Sequence, residues 1–250
     1  MRYGKKKRTA KEAGKMGDAL LTIKNLSAWY SNEKMILSDF SFALDEHEVA
    51  GLIGLNGAGK TTFLKVLSGL LPTFRSEGIF FCSAPVDFRK QDFKLCRYTV
   101  FAEDNSFSYF TFLEYLAYVC AAYGKEVPNV SELIQGFHFE EYTDTLLREL
   151  STGNRKKAFL ITAFALKPRL LLLDEPVNGL DFQSTEYLYR QISEYKEHGT
   201  VLFSSHILES ITLTSDRVFV LENGRIRQTF ERGQINAEDI REALHDENDR

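Results

Sequence analysis

Cysteine is scarce in this 250-residue chain, which contains only three. Cys82, Cys96 and Cys120 stand far apart, and no two of them form a Cys-x-x-Cys pair. This spacing excludes the common cysteine-based zinc and redox motifs. We therefore expect three buried, reduced thiols in a reducing compartment.

Long hydrophobic runs are absent too. The longest apolar stretch, residues 158–166, has nine residues and includes Thr162, whereas a helix needs about 20 apolar residues to span a bilayer. The basic N-terminal segment is not followed by the apolar region of a signal peptide. The sequence therefore predicts a cytoplasmic protein without a membrane span of its own.

The chain also lacks an excess of positive charge, because its formal net charge is −4. It offers no global attraction to nucleic acid, and we expect no nucleic-acid partner. Positive charge is concentrated in the first fifteen residues, seven of which are Lys or Arg. We interpret residues 1–19 as a basic tail, which is either disordered or weakly attracted to anionic lipid headgroups.

The most informative stretch that is present matches the phosphate-loop pattern G-x-x-x-x-G-K-[ST]. Its glycines allow backbone N–H groups to point at phosphate oxygens, Lys60 adds a positive charge, and Thr61 offers a hydroxyl to Mg²⁺. A strand at 49–53 and a helix from 62 flank the loop, so the phosphates would meet a helix N-terminus. The residues predicted to bind the nucleotide here are Gly54, Leu55, Asn56, Gly57, Ala58, Gly59, Lys60, Thr61 and Thr62.

A second motif combines an aliphatic strand with two acids at its end. Four leucines, residues 170–173, precede Asp174, Glu175 and Pro176. Side chains at the carboxyl end of such a strand face the crevice where ligands bind in open α/β sheets. We expect Asp174 to hold Mg²⁺ and Glu175 to polarise the water that attacks the terminal phosphate.

Hydrophobic periodicity predicts alternating strands and helices in one domain. Ser131 is expected to cap a short helix, Pro168 to end a long one, and Asn223-Gly224 to form a hairpin turn. Strands are predicted at residues 20–26, 40–44, 49–53, 78–82, 97–101, 170–173, 201–204, 217–221 and 225–230, and helices at 62–67, 111–123, 131–137, 151–166, 183–198 and 207–214.

With both motifs in place, residues 20–232 resemble the nucleotide-binding subunits of ABC ATPases. The discriminating segment is Leu150-Ser-Thr-Gly-Asn, which is similar to the family's LSGGQ signature. In the family, two domains pack head to tail, and each ATP lies between one chain's phosphate loop and the other chain's signature. The resemblance therefore implies a second ABC ATPase chain, in a homo- or heterodimer, whose ATP is contacted by Ser151, Thr152, Gly153 and Asn154.

Three further positions match the family pattern. The resemblance implies that Tyr30 stacks on adenine, with a purely structural tyrosine as the alternative. Asp181 belongs to a loop that crosses the dimer interface, and His206 corresponds to the switch histidine that reaches the γ-phosphate. Together with Glu175 and Lys60, His206 completes the predicted catalytic set. The remaining histidines, His47, His138, His198 and His245, match nothing and are expected at the surface.

Three positions depart from the family pattern. Glu103 stands where the family has a glutamine that contacts Mg²⁺, and a carboxylate would bind the metal more strongly. Thr152 replaces a glycine, so either the loop has an ordinary conformation there or its phosphate geometry is altered. Asn154 replaces the signature glutamine and shortens its reach.

The resemblance implies an α/β fold with a phosphate-loop (RecA-like) mixed-sheet core, an N-terminal antiparallel β portion and an inserted α-helical subdomain. We expect the core at 20–102 and 168–232, the helical subdomain at 103–167 and a C-terminal helix at about 233–245. The implied function is Mg²⁺-dependent ATP hydrolysis that powers a transmembrane permease from the cytoplasmic face of the membrane. Export is favoured over import, and a soluble ABC ATPase of the iron–sulfur assembly type is the alternative.

Aromatic residues are concentrated between positions 107 and 123. Two interpretations stay open: they form the core of the helical subdomain, or they line a groove that seats a cytoplasmic helix of the permease. The seven residues are Phe107, Tyr109, Phe110, Phe112, Tyr115, Tyr118 and Tyr123.

Overall fold

A computed structural model describes residues 19–30 and 34–245, without the side chain of His245. The predicted tail therefore lies outside the described residues, apart from Ala19, which begins the first strand. Within the described residues the strands are β1 (Ala19–Trp29), β2 (Met35–Asp45), β3 (Val49–Ile53), β4 (Phe74–Arg75), β5 (Gly78–Phe81), β6 (Ala84–Pro85), β7 (Arg97–Val100), β8 (Leu170–Asp174), β9 (Thr200–Ser205), β10 (Arg217–Glu222) and β11 (Arg225–Glu231).

In the described part of the chain, two α-helices precede β7, three lie between β7 and β8, and three connect or follow the later strands. Three short 3₁₀ turns, Glu140–Tyr142, Leu147–Glu149 and Tyr195–Glu197, accompany them. The α-helices of the described residues are α1 (Lys60–Leu67), α2 (Gln91–Cys96), α3 (Phe112–Ala122), α4 (Ser131–Gly136), α5 (Thr152–Leu166), α6 (Phe182–Glu194), α7 (Leu208–Thr214) and α8 (Ala237–His245).

The strands form two sheets. The first is antiparallel, in the order β2-β1-β5-β6, with β4 also paired to β1. The second has the order β11-β10-β3-β9-β8-β7, in which β11 is antiparallel and the other five strands are parallel. The predicted α/β fold with a mixed-sheet core and an antiparallel portion is confirmed.

The strand order of the second sheet determines which of the predicted site residues lie close together. In the second sheet β9 lies between β3 and β8. The carboxyl ends of these three parallel strands therefore meet at one edge, although β3 ends at residue 53 and β8 begins only at residue 170. The continuous aliphatic character of β8 fits this position, because all five of its residues are buried.

Two hydrophobic cores flank the mixed sheet. One packs α1 and the antiparallel sheet against it, with Phe40, Phe42 and Phe63 in mutual contact. The other packs the helices α3 to α8 on the opposite face, with Leu171 and Leu173 of β8 pointing into it. Each face of the sheet is thus covered, which holds the loops at its edge on a rigid base.

The helical interval begins with a well-defined cap. Thr111 accepts a hydrogen bond from the Glu114 backbone, and Glu114 accepts from the Thr111 backbone in return, which forms a capping box at the start of α3. Helix α3 buries Phe112, Tyr115 and Leu116. The division into core and helical subdomain at residues 103 and 167 stays a prediction.

Local signals were mostly accurate, with two corrections. The Asn223-Gly224 turn has positive φ at both residues, +46° and +75°, as a hairpin requires. Ser131 does not cap α4: it is the first helical residue, and its N–H donates to Asn129 at 2.9 Å. Cys120 is buried as predicted and Cys96 is half-buried, but Cys82 is exposed because it lies in the tight turn between β5 and β6.

Candidate functional site

The phosphate loop connects β3 to α1, and its glycines supply backbone shapes that other residues avoid. Gly57 and Gly59 have φ of +86° and +110°. Helix α1 begins at Lys60, two residues earlier than the apolar pattern indicates. The Lys60 ammonium is buried and donates to the carbonyl of Gly54 at 2.7 Å, so the loop folds over its own lysine.

Thr61 and Asp174 are 113 residues apart in the sequence and are hydrogen bonded. The Thr61 hydroxyl donates to Asp174 Oδ2 at 2.9 Å. The hydroxyl of Ser204, in β9, donates to Asp174 Oδ1 at 2.7 Å. Asp174 is only 1% exposed, so these two hydroxyls fix the direction of its carboxylate.

Glu175 lies between Lys60 and His206. Its Oε1 is 3.5 Å from Lys60 Nζ, and its Oε2 is 2.8 Å from His206 Nδ1. Its own backbone has a φ of +47°, the left-handed region, and its N–H donates to the Ser204 hydroxyl at 3.0 Å. A strained backbone of this kind persists only where the surroundings hold it, and it is concentrated at functional sites.

The segment that resembles the signature begins α5. Ser151 caps the helix, because its hydroxyl accepts from the Asn154 N–H at 3.2 Å. Thr152 is the first helical residue and has an ordinary backbone conformation, which decides between the two alternatives stated for it. Ser151 and Thr152 are exposed, so this end of α5 is open to a partner.

Asp181 lies in the loop between β8 and α6, and its side chain links this loop to helix α5. Its carboxylate caps α6 by accepting from Ser184 N–H at 2.9 Å, and it pairs with the buried Lys157 ammonium at 2.7 Å. Burial favours a raised pKa for Asp181, but the hydrogen bonds from Lys157 and Ser184 outweigh it and hold the pKa well below the usual range.

A close backbone contact also links the start of α5 to the loop that carries Asp181. A Cβ built on Gly153 would overlap the carbonyl oxygen of Gly179, so only glycine fits at position 153. Gly179 itself has a φ of +83°. The signature segment and the loop that carries Asp181 therefore pack as one unit.

The remaining predicted residues lie on the rim of the site. The Tyr30 hydroxyl is 3.5 Å from the Thr62 hydroxyl, and its ring is 39% exposed beside the phosphate loop. Glu103 is exposed and lines a cleft of about 860 Å³ together with Thr61 and Asp174.

The histidines at 47, 138 and 198 are exposed, as predicted, while the His245 side chain lies outside the described part.

Three residues that make polar contacts in the site were missed by sequence reasoning. Ser204 holds both Asp174 and Glu175, and its place at the end of a buried strand is the signal that indicates it. Lys157 holds Asp181, and Lys156 donates to the Glu175 carbonyl at 2.9 Å. The sequence signal for these two contacts is the pair of adjacent lysines within the mostly apolar sequence of α5, because a buried lysine needs a hydrogen-bond or ionic partner.

Known proteins resemble this chain along most of its length. The sequence model of the family described as ABC transporter matches residues 37–178. AlbC of Bacillus subtilis (strain 168) is 34% identical over 224 residues, which are 86% of this chain and 93% of AlbC. A solved ATP-binding subunit of an ABC transporter has a TM-score of 0.78 at 29% identity and covers 85% of this chain and 90% of its own.

Two further relatives differ from each other in the task that their names give. The phosphate import ATP-binding protein PstB of Aeropyrum pernix is 32% identical over 221 residues, 82% of this chain and 87% of PstB. The SkfA peptide export ATP-binding protein SkfE of Bacillus subtilis is 29% identical over 216 residues, 84% of this chain and 88% of SkfE. The similarity of sequence, fold and phosphate loop leads to one conclusion: the chain belongs to the ABC transporter family, as an ATP-binding subunit that hydrolyses ATP.

Proposed function

We propose that this chain pairs with a second ABC ATPase chain, hydrolyses Mg·ATP between the two and drives a membrane-embedded exporter. The observation that carries the proposal is the meeting of three strand ends: the phosphate loop after β3, Asp174 and Glu175 at β8, and His206 after β9. Their side chains are linked by the Thr61–Asp174 and Glu175–His206 contacts. A chance arrangement of surface residues would not place these groups within hydrogen-bond reach of one another.

The metal ion fits the donors present. Thr61 and Asp174 present oxygen atoms, which Mg²⁺ prefers, and it usually takes one or two protein ligands beside substrate phosphates. Glu103 lines the same cleft and supplies a further carboxylate. When bound, the ion would neutralise phosphate charge.

In the proposed hydrolysis, different residues of this chain bind the phosphates, activate the water and contact the adenine. Lys60 leaves the Gly54 carbonyl and contacts the outer phosphates, while the loop N–H groups and the start of α1 hold the others. Glu175 accepts a proton from the attacking water, and His206 orients Glu175 and reaches the γ-phosphate. Tyr30 stacks on adenine beside the loop.

The second chain completes each site. The exposed residues Ser151 and Thr152, with Gly153 and Asn154 behind them, would contact the γ-phosphate held by the partner, at the start of a helix. The loop carrying Asp181 packs directly behind them through Gly179. Either a homodimer or a heterodimer is compatible with this arrangement.

This chain has an exposed aromatic surface that suits the docking of a membrane partner. Among the helices of the described residues, none combines the length and the apolarity of a membrane span. The aromatic stretch divides: Phe112 and Tyr115 are core residues, whereas Tyr109 and Tyr118 are 75% and 51% exposed. We assign the exposed rings, together with the exposed Leu95, to the docking of a cytoplasmic permease helix.

Export is the direction that we propose. Similarity to SkfE, which is named for peptide export, supports it, whereas similarity to PstB, which is named for phosphate import, supports the opposite direction. The experiment is ATP-driven movement of candidate peptides in inside-out vesicles that contain the chain and its permease. Accumulation inside the vesicles supports export, and ATP-driven loss of preloaded solute supports import.

The alternative is a soluble ABC ATPase without a permease. Detergent extraction of native membranes separates the two. The proposal predicts that a tagged chain is recovered with a stoichiometric multi-span protein whose presence raises ATPase activity. Recovery of fully active chain from the soluble fraction alone favours the alternative.

A further inference from the structure

Lys156 is a buried lysine in the second turn of the helix that begins with the signature segment. Its side chain is 4% exposed, and its ammonium donates to the backbone carbonyl of Glu175 at 2.9 Å. Burying an ammonium costs free energy unless strong partners surround it. A lysine in this place is therefore held for a specific interaction rather than for packing.

The carbonyl that Lys156 holds belongs to a residue in an unfavourable backbone conformation. Glu175 has a φ of +47°, where a residue with a Cβ is strained. Its N–H is held from one side by Ser204 of β9, and its carbonyl from the other side by Lys156 of α5. These two bonds set the peptide planes from which the Glu175 side chain projects toward His206.

The residues that follow Glu175, up to Asp181, also contact the N-terminal end of α5. Gly153 packs against Gly179 without room for a side chain, and Lys157 pairs with Asp181. Residues 175–181 are thus held at three points by the first two turns of one helix. A shift of that helix end moves the segment with it, because packed backbone contacts transmit displacement rather than absorbing it.

The charge of Lys156 also lies in the acidic part of the site. Burial lowers the pKa of its ammonium, while the carboxylates of Asp174, Glu175 and Glu103 raise it. The ammonium thereby offsets negative charge next to the place where phosphate oxygens would lie.

We propose that Lys156 is a positioning residue that couples the signature end of α5 to the general base of the same chain. When the signature segment engages the nucleotide of a partner chain, the movement of α5 reorients Glu175 through the Lys156 hydrogen bond. The two nucleotide sites of a dimer then communicate through α5, and the Lys156 side chain in each chain carries the movement to Glu175 itself. The inference rests on the proposed function, in which Glu175 is the base.

The test compares Lys156→Met, which removes the donor at similar length, with Lys156→Arg, which keeps a charged donor. The matched control is Lys125→Met, because Lys125 makes the same kind of bond at the other end of α5, to the Leu166 carbonyl. We expect Lys156→Met to lower kcat on the order of tenfold or more, with KM and ATP affinity within about twofold, since small misplacement of a catalytic group is costly. Lys156→Arg should recover most of kcat, and Lys125→Met should keep it.

A double-mutant cycle separates this inference from the function on which it rests. In a Glu175→Gln background, Lys156→Met should lower the residual rate no further, because its effect passes through Glu175. Wild-type kcat in Lys156→Met, or equal losses in Lys125→Met, overturns the coupling role. Wild-type turnover in Glu175→Gln alone overturns the base assignment instead. Should Lys156→Met fail to fold, Lys156→Gln carries the same comparison.

Discussion

The imidazole Nδ1 of His206 lies 2.8 Å from the Oε2 of Glu175, and the His206 backbone N–H also donates to that oxygen at 3.3 Å. Glu175 is 8% exposed, so this carboxylate is oriented before any nucleotide arrives. Its other oxygen faces Lys60. The geometry separates two roles, activation of water and binding of phosphate, and each can be tested by a single substitution.

Replacing Glu175 with Gln should abolish hydrolysis while retaining ATP binding. Gln keeps the size of the side chain but cannot accept a proton, and general bases contribute about 10²- to 10⁴-fold to rate. Steady-state phosphate release and a nucleotide-binding isotherm measure the two effects. We expect the variant to accumulate an ATP-bound dimer, visible by size-exclusion chromatography. Glu46→Gln, in a surface ion pair with Arg169, is the control, and normal turnover in Glu175→Gln would refute the assignment.

Replacing Lys60 with Ala should weaken nucleotide binding itself. The substitution removes the buried positive charge that contacts the outer phosphates, and a hydrogen bond to a charged group is worth about 1.5–3 kcal/mol. The dissociation constant of ATP should therefore rise about tenfold to a hundredfold. Lys24→Ala, on the antiparallel sheet, is the control. An unchanged ATP affinity in Lys60→Ala would show that the loop does not bind phosphate as proposed.

Replacing Gly153 with Ala should destabilise the fold, although alanine is the better helix former by about 1 kcal/mol. The new methyl group would overlap the Gly179 carbonyl oxygen, and such overpacking costs about 1–3 kcal/mol. Urea denaturation measures the free energy of unfolding. Thr152→Ala, one position earlier and exposed, should be neutral or slightly stabilising. A Gly153→Ala variant as stable as wild type would argue against the close contact.

Replacing Asp181 with Asn should cost about 1 kcal/mol, because the cap is retained while the exposed side of the ion pair with Lys157 is lost. The pKa of Asp181 is lowered in the folded chain. Its contribution is therefore complete above the unfolded pKa of about 3.9 and is lost as pH falls through the folded value. Urea unfolding at pH 5, 6.5 and 8 should give the same difference between the two proteins. A difference that disappears between pH 8 and 5 would contradict the lowered pKa.

Replacing Glu103 with Gln should raise the Mg²⁺ concentration needed for half-maximal hydrolysis by about two- to tenfold, because an amide binds a hard cation more weakly than a carboxylate. A Mg²⁺ titration at saturating ATP measures this. Glu132→Gln, on α4, is the control. An identical titration curve for Glu103→Gln would place Glu103 outside the metal site.

Much of the fold follows from local signals in the sequence. The aliphatic run of β8, the Asn223-Gly224 turn and the helix that begins near Ser151 each depend on neighbouring residues, so the sequence predicts them well. Ser131 was assigned wrongly because Asn129, two residues earlier, competes for the same helix start. Helix α2 and the short strands β4 and β6 were missed, since such short elements carry little periodicity.

The sequence by itself determined the phosphate loop, the two acids at the end of β8 and the family, because each depends on residue types at fixed spacing. Only the tertiary structure decided which groups meet. Strand order places β9 between β3 and β8, and this brings Ser204 to Asp174 and His206 to Glu175. The contact of Lys156 with Glu175 and the packing of Gly153 on Gly179 likewise arise from the docking of α5. The physical reason is that long-range contacts depend on how sheets and helices pack, which no local spacing specifies.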